Sequence, residues 1–587
     1  MKKQYYFLLF AMAGWFTAAG QNTIYVNKDA EGANNGSSWA NAYTSLQAAI
    51  NASAANDKIW VSAGTYFPTQ LRIAGNARSA SFIINKNIKI YGGFNGTETQ
   101  LSERNTNTNV TILSGDFSEN DIDTNGNGIN DFNDGENAYN VVFTQNLGTS
   151  AILDGFRITG ANADGSATYM IGTSLIQTNT GGAIYNLNSS LTMSNLKLYN
   201  NSSDFGAGVY NTGGAPKLNS SELTYNFASY GAGAYNTLAT VFTINDCDFF
   251  FNRFSGGTVG SVNNSVVKAN NCFFAQNSGL YGGAFYNKTA SIILFNVKIS
   301  ENIVNNSGGG IYNVDNGVAT LFNVLINNNY ANNGAGIYNH TNAYSKLTNV
   351  TITGNEAVDT GGGIYNNISP DGLNTRIYNS IIWDNTASQS ASIYYTFYAQ
   401  EDVHIRNSII AGSGGSAAWN DSYGHNQGNN FAQDPLFVNA SGGNYMLQDT
   451  SVGKDSAYNQ LLSLPNGANA WTPTDSDPDG YSRLQGAGVD MGAFEAGGVN
   501  GVAESQKMNL VYNNPVQKGS ILRIIAPQAG NFNVSVFDTQ GKLVNKNTFN
   551  GESDLNISTN EMAAGIYFCR VSSKDDGTIE TIKVIIN

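Results

Sequence analysis

A short phrase returning at near-constant spacing constrains this chain more than any other feature. It reads Gly181-Gly182-Ala183-Ile184-Tyr185-Asn186, then Gly206-Ala207-Gly208-Val209-Tyr210-Asn211, then Gly231-Ala232-Gly233-Ala234-Tyr235-Asn236. A worn copy ends at Asn263, clear copies end at Asn287, Asn313, Asn339 and Asn366, and a last worn copy ends at Tyr395. The closing residues are spaced 25, 25, 27, 24, 26, 26, 27 and 29 apart. A period of this size marks stacked units, each of which buries its apolar face on its neighbours.

A second phrase inside each repeat gives the strand pattern. It is apolar-x-Asn-apolar-x-apolar-x-x-Asn, as in Leu294-Phe295-Asn296-Val297-Lys298-Ile299 ending at Asn302. With the first Asn as zero, +1 (Leu196, Cys247, Cys272, Val297) and +3 (Leu198, Phe249, Phe274, Ile299) are apolar, the period-2 mark of a half-buried strand. Position −2 is apolar too (Ile244, Leu294, Leu321), so the chain must bend at the Asn, a residue that tolerates left-handed backbone. The Gly-Gly-x-Ile-Tyr-Asn segment supplies a third strand. Three short strands per coil with no helical period read as an all-β, three-sheet parallel β-helix. Equivalent Asn side chains on successive coils would stack into ladders at ~4.8 Å. The array resembles the right-handed parallel β-helices of the pectate-lyase-like superfamily, a resemblance that implies fold rather than activity.

The rod is expected over 21–412, with regular coils at 181–412 and a cap at 413–495. Its start is foreshadowed by Ile24-Tyr25-Val26, a helix at 38–54 covering the first coil, strands at 58–66, 88–93 and 110–113, and Leu153-Asp154-Gly155-Phe156-Arg157-Ile158 with Gly155 at zero. Met1-Lys2-Lys3, an apolar run from Tyr5 to Phe16 and Ala18-Ala19-Gly20 read as a signal peptide over 1–20. Nothing later is apolar enough to span a membrane. A net charge of −14 argues against nucleic acid and anionic lipid as partners.

After a flexible linker at 496–506, residues 507–587 change to alternating strands with turn signals at Gln540-Gly541 and Asp576-Gly577. Asn514-Pro515, Val536-Phe537-Asp538 with Gly541-Lys542, Gly565-Ile566-Tyr567 and Lys583-Val584-Ile585-Ile586 resemble the carboxy-terminal sorting domain of type IX secretion cargo. That resemblance implies a small Ig-like β-sandwich, the type IX machinery as partner, and display at the cell surface. Asp434-Pro435-Leu436-Phe437-Val438 and Val489-Asp490-Met491-Gly492-Ala493-Phe494-Glu495 resemble the closing segment of secreted β-helix proteins.

Several residues carry candidate chemistry. Asp121, Asp123, Asn125 and Asn127 place oxygen ligands at alternate positions, with Gly126 for the turn and Asp131 and Asp134 following. This spacing suits calcium, although Phe132 stands where an EF-hand needs Glu. At the outward +2 position Lys197, Glu222 and Asp248 stack on successive coils, so Glu222 and Asp248 are the candidate catalytic pair, with a solvated charge ladder as the bland alternative. His404 and Arg406 also face outward. The recurring Tyr (185, 210, 235, 286, 312, 338, 365, 394) is expected in the core, although its apolar neighbour leaves the outer face open; there it would form an aromatic strip. Cys247 and Cys272, both at +1 on adjacent coils, fall within disulfide reach, with two reduced core thiols as the expected state. The resulting expectation is an extracellular binding or adhesion rod, probing glycans; a polysaccharide lyase or glycoside hydrolase and a structural rod are the alternatives. A convergent carboxylate and basic cluster in a groove would discriminate them.

Overall fold

The computed structural model describes residues 22–123, 135–367, 375–395, 403–458, 476–484, 486–496, 510–512, 516–538, 543–560, 562–573 and 579–586. The expected signal peptide, the linker beyond Ala496 and most of the Asp-rich loop lie outside them.

One coil shows how the sequence folds. Thr192–Ser194, Lys197–Tyr199, Ser202–Phe205 and Val209–Thr212 are strands in succession. The first two join a 24-stranded sheet, the third an 8-stranded sheet and the fourth a 12-stranded sheet. The coil therefore holds four strands in three sheets, one strand more than the pattern suggests. The additional strand gives no alternating signal because it points only small or scattered residues inward, such as Ala228, Val304 and Ala331.

Stacking is parallel and in register with the repeat: Tyr185 pairs with Tyr210 and Asn186 with Asn211. The register corrects one reading. Ser261 pairs with both Asn236 and Asn287, so Ser261, not Asn263, closes the worn copy. Val259 carries the inward face that fixes this register, and Asn263 sits in the turn beyond it with φ 52°.

The bend is where the sequence places it. Asn195, Ser220, Asp246, Asn271, Asn296, Asn323, Asn349 and Asn379 all have φ between 47° and 56°. Six residues on, Asn201, Asn226, Asn252, Asn277, Asn302, Asn329, Asn355 and Asn385 form a continuous ladder inside the turn. Asn226 Nδ2 donates to Asn252 Oδ1 (3.1 Å) and to Leu198 O (2.9 Å), while its own Oδ1 accepts from Asn201. A third ladder runs through the closing Asn of each repeat, Asn287 to Asn313 to Asn339 to Asn366. Between the turns, Leu198, Leu223, Phe249, Phe274, Ile299, Ile326, Ile352 and Ile382 form one column, each with no exposed surface. Each such side chain contributes about 1.5–3 kcal/mol by leaving water.

At the amino end the helix is only Leu46–Ala52, capped by Ser45. Residues 35–43 are held instead by turns, with Asn35 and Gly36 N–H donating to Asn41 O and Tyr43 bridged to Val26. At the carboxy end, residues 434–458, 476–479 and 487–494 lie against the outer face of the 24-stranded sheet. Asn323, Asn349, Asn379 and Asn407 donate Nδ2 to the carbonyls of Ser476, Asp490, Tyr458 and Ser456. The sheet there is apolar at +2, where Leu325, Thr351, Ile381 and Ile409 are covered by Tyr445, Gly492, Ala493 and neighbours.

The last unit has its own core, including Leu522, Ile524, Val534, Val536, Leu555, Ile557, Val571 and Val584. Its five strands (Val511–Tyr512, Ile521–Asp538, Leu543–Ser558, Gly565–Ser573, Ile579–Ile586) pair antiparallel. Among the described residues, no helix is long and apolar enough to cross a membrane.

Candidate functional site

The bend that Asn, Ser or Asp imposes turns the two limbs of the first sheet toward each other and leaves a furrow along the rod. Side chains at zero and +2 line it, and the register places them one above another. Arg157 pairs with Lys197, Lys197 with Glu222, and Glu222 with Asp248. These four, with Asp246, Ser220, Asn195 and the loop residues Thr106 and Asn107, border an open cavity of about 460 Å³. One end is walled by that loop, which Arg104 anchors to Gly92 O (3.1 Å) and Asp154 Oδ1 (2.8 Å). Toward the other end Lys298 meets Asp479 (2.5 Å), where residues 476–479 and 487–494 begin to fill the same face. The furrow is therefore open over four coils and occupied by the protein itself further on.

Its electrostatics run from basic to acidic. Lys197 Nζ lies 3.1 Å from Glu222 Oε2. Partial burial, and after it the charge of Glu222, raises the Asp248 carboxyl above the ordinary carboxylate range. Asp246, at the bend, accepts from Asn271 Nδ2 (3.1 Å).

An aromatic pair flanks this charged floor. Tyr225 and Phe251 both have φ 55°, with ring centroids 5.1 Å apart and planes 11° from parallel. The same left-handed position carries Asn200, Gln276, Glu301, Asn328 and Asp384 on other coils. A bulky residue held there costs about 1–3 kcal/mol, and such strain collects at functional sites. Phe251 is nevertheless 40% exposed, so burial does not explain it.

The structure thus brings Glu222 and Asp248 together with Lys197 and adds Arg157, Asp246, Tyr225 and Phe251. Arg157 was legible as the +2 residue of the Gly155 coil. The aromatic pair sits at +5, which the pattern treats only as a turn. His404 and Arg406 belong to the last rungs, away from this cluster. His404 stacks on His425 (5.4 Å) and Arg406 lies over the Tyr458 ring (4.7 Å).

Of the residues expected to suit calcium, Asp121 and Asp123 are described, and Asn125, Asn127, Asp131 and Asp134 lie outside the described residues. At the loop's base Asn137 Nδ2 donates to Asp121 Oδ2 (2.6 Å), and Asp116 accepts from the N–H groups of Asn120 and Asp121. Burial, with a hydrogen bond to Asp116, pushes the Glu136 carboxyl up to about 6. Among the described residues no three His, Cys, Asp or Glu side chains converge as a metal site.

The recurring Tyr corrects the expectation of a core position. Only Tyr185 is fully buried; Tyr210, Tyr235, Tyr286, Tyr312, Tyr338, Tyr365 and Tyr394 lie half-buried on the outer face, while Ile184, Val209, Ile311 and Ile337 point inward. Strand alternation sends neighbours to opposite faces, and the apolar residue before each Tyr takes the core. The rings stack along the rod, as in Tyr312 on Tyr338 (5.3 Å, 7°) and Tyr338 on Tyr365 (4.5 Å, 13°). Their faces are spent on one another, which leaves edges rather than faces for a sugar. Cys247 and Cys272 are buried free thiols that donate to Asn245 O (3.1 Å) and Asn270 O (3.2 Å).

Residues 510–587 match a family model described as a secretion system C-terminal sorting domain. This tail marks the chain for export to the cell surface or extracellular space and implies contact with the secretion machinery. No curated protein matches the chain. Among solved structures, a pectate lyase, Pel9A, is similar at 13% identity, over 81% of this chain and 97% of that one, with a TM-score of 0.37.

Proposed function

We propose that the exported rod binds a glycan chain in the open furrow between Arg157 and Asp248. The observation that carries this is a charged floor beside a strained aromatic pair, half-buried at Tyr225 and exposed at Phe251, on a face that the protein's own chain covers elsewhere. Charged and amide groups offer hydrogen bonds to hydroxyls and acids, and Tyr225 adds an aromatic neighbour to Glu222 at the margin. The groove also counts against a purely structural rod.

One observation favours cleavage as a second reading. Glu222 and Asp248 are register neighbours, so their carboxyls can lie ~5 Å apart, near the separation of retaining glycosidases. Asp248 holds its proton to higher pH than an ordinary carboxyl, as a general acid needs. Calcium enters as a structural cation at Asp121, Asp123, Asn125, Asn127, Asp131 and Asp134, where it would relieve the crowding of Asp116 and Glu136.

One screen tests all three. The purified chain is offered acidic and neutral polysaccharides with and without calcium, following retention, new ends and thermal midpoint. Retention weakened about tenfold by Lys197→Gln with Tyr225→Ala supports binding. New ends abolished by Glu222→Gln or Asp248→Asn would replace it with catalysis, and unchanged retention in every variant would remove the furrow from either role. A thermal midpoint indifferent to calcium would remove the cation site.

A further inference from the structure

Four rungs beyond the last open coil of the furrow begins a column of cationic and imidazole side chains that the glycan reading does not use. It lies on the outer face of the first sheet, three residues before each bend. Lys346 pairs in register with Arg376, Arg376 with His404, and His404 with His425. Arg376 and His425 are exposed, and Lys346 and His404 are half-buried. His404 and His425 stack at 5.4 Å.

The same row behaves differently on the earlier coils. There Thr192, Lys217, Thr243, Lys268, Ile293 and Thr320 succeed one another in register, so each Lys is separated from the next by a neutral residue. Like charges directly opposite on neighbouring strands are destabilising, and alternation avoids that cost. From Lys346 onward the alternation stops. Among the described residues neither Lys346 nor Arg376 has an ion-pair partner. Partial burial, and after it the Arg376 charge, lowers the Lys346 ammonium below its ordinary value, and Nζ lies over the Tyr344 ring at 5.4 Å.

The contacts of this column, Lys346 over the Tyr344 ring and His404 Nδ1 hydrogen-bonded with Gln427 (2.9 Å), place no carboxylate against it. Its strands are already fixed by inward residues such as Leu347, Ile377 and Ile405, all with no exposed surface. The chain as a whole carries −14, yet charges beyond about 8–10 Å are screened at ordinary salt, so the local sign governs what approaches the column. Four rungs at ~4.8 Å span about 14 Å. We infer that the Lys346–Arg376–His404–His425 column is a docking surface for a linear anionic polysaccharide, laid along the rod with an acidic group near each rung. Double-stranded nucleic acid carries a charge every ~1.7 Å of axis on a helical surface, which a straight single column does not match. This inference stands apart from the furrow and does not depend on its role.

The test uses the full chain with Arg157→Gln and Lys197→Gln already in place, so that the furrow's own cations do not contribute. Binding of a hexameric polyuronate is measured by calorimetry beside a neutral hexasaccharide and a single-stranded DNA of equal charge. The expected result is uronate binding that weakens with salt and falls at least tenfold on Lys346→Gln with Arg376→Gln. The charge-preserving pair Lys346→Arg with Arg376→Lys should retain it at an unchanged thermal midpoint. Equal binding by the Gln variant would overturn the inference. So would loss in the charge-preserving pair, uronate binding no tighter than the neutral sugar, or tighter binding of the DNA.

Discussion

Asparagine does two different jobs on most coils, and backbone conformation separates them. At zero it takes the left-handed region, which bends the strand and aims the +2 side chain outward. At +6 it is buried, with every polar atom engaged by the rungs above and below. Asn277 illustrates the second case: its Oδ1 accepts from Asn252 N and Nδ2 (both 3.0 Å), and its Nδ2 donates to Phe249 O and Asn302 Oδ1. Replacing it with Ala strands the Asn252 donors and the Phe249 carbonyl in a dry interior, where each unmet group costs about 1–3 kcal/mol. Asn277→Ala should therefore lower unfolding stability by about 3 kcal/mol, against less than about 0.5 for Lys268→Ala on the outer face, read from urea denaturation midpoints.

The strand bearing the Tyr column is the element whose role changed most between pattern and structure. Period 2 requires Ile and Tyr on opposite faces, but an aromatic can occupy either, so the side was not legible. Burial pushes the Tyr210 and Tyr286 phenols up to about 12, with Tyr230 and Asp315 adding to it at Tyr286. The consequence for stability has a definite sign. An unfolded Tyr loses its proton near pH 10, whereas the folded column still holds it, so raising pH from about 10 toward 12 favours the unfolded chain. Thermal midpoints should be steady below pH 10 and fall above it, and Tyr286→Phe should shrink that fall. An alkaline profile identical in the variant would show that the column does not couple to folding. The 8-stranded sheet escaped the pattern for a related reason, since strands pointing one small residue inward leave no alternation to read.

For the whole molecule, the decisive arrangement is the use of one face for two purposes. Residues 434–458 and 487–494 seal the first sheet where +2 is Leu325, Thr351, Ile381 and Ile409, and the sheet is left open where +2 is Arg157, Lys197, Glu222 and Asp248. Export rests on a separate unit with its own core. Removing residues 510–587 should leave the rod in the cell fraction, with its far-UV circular dichroism kept, and appearance of the truncated chain outside the cell would contradict a sorting role for that tail.

What the sequence determined by itself was everything set by local periodicity. The repeat, the bend at Asn195 and its equivalents, the buried ladder at +6 and the stacking of Lys197, Glu222 and Asp248 follow because parallel stacking copies one coil's pattern onto the next. Tertiary structure alone decided which outer surface stays open. That depends on where residues 104–109, 434–458, 476–479 and 487–494 fold back over the rod, and on how Tyr225 and Phe251 sit at turns, contacts between segments up to 181 residues apart that no 25-residue period encodes.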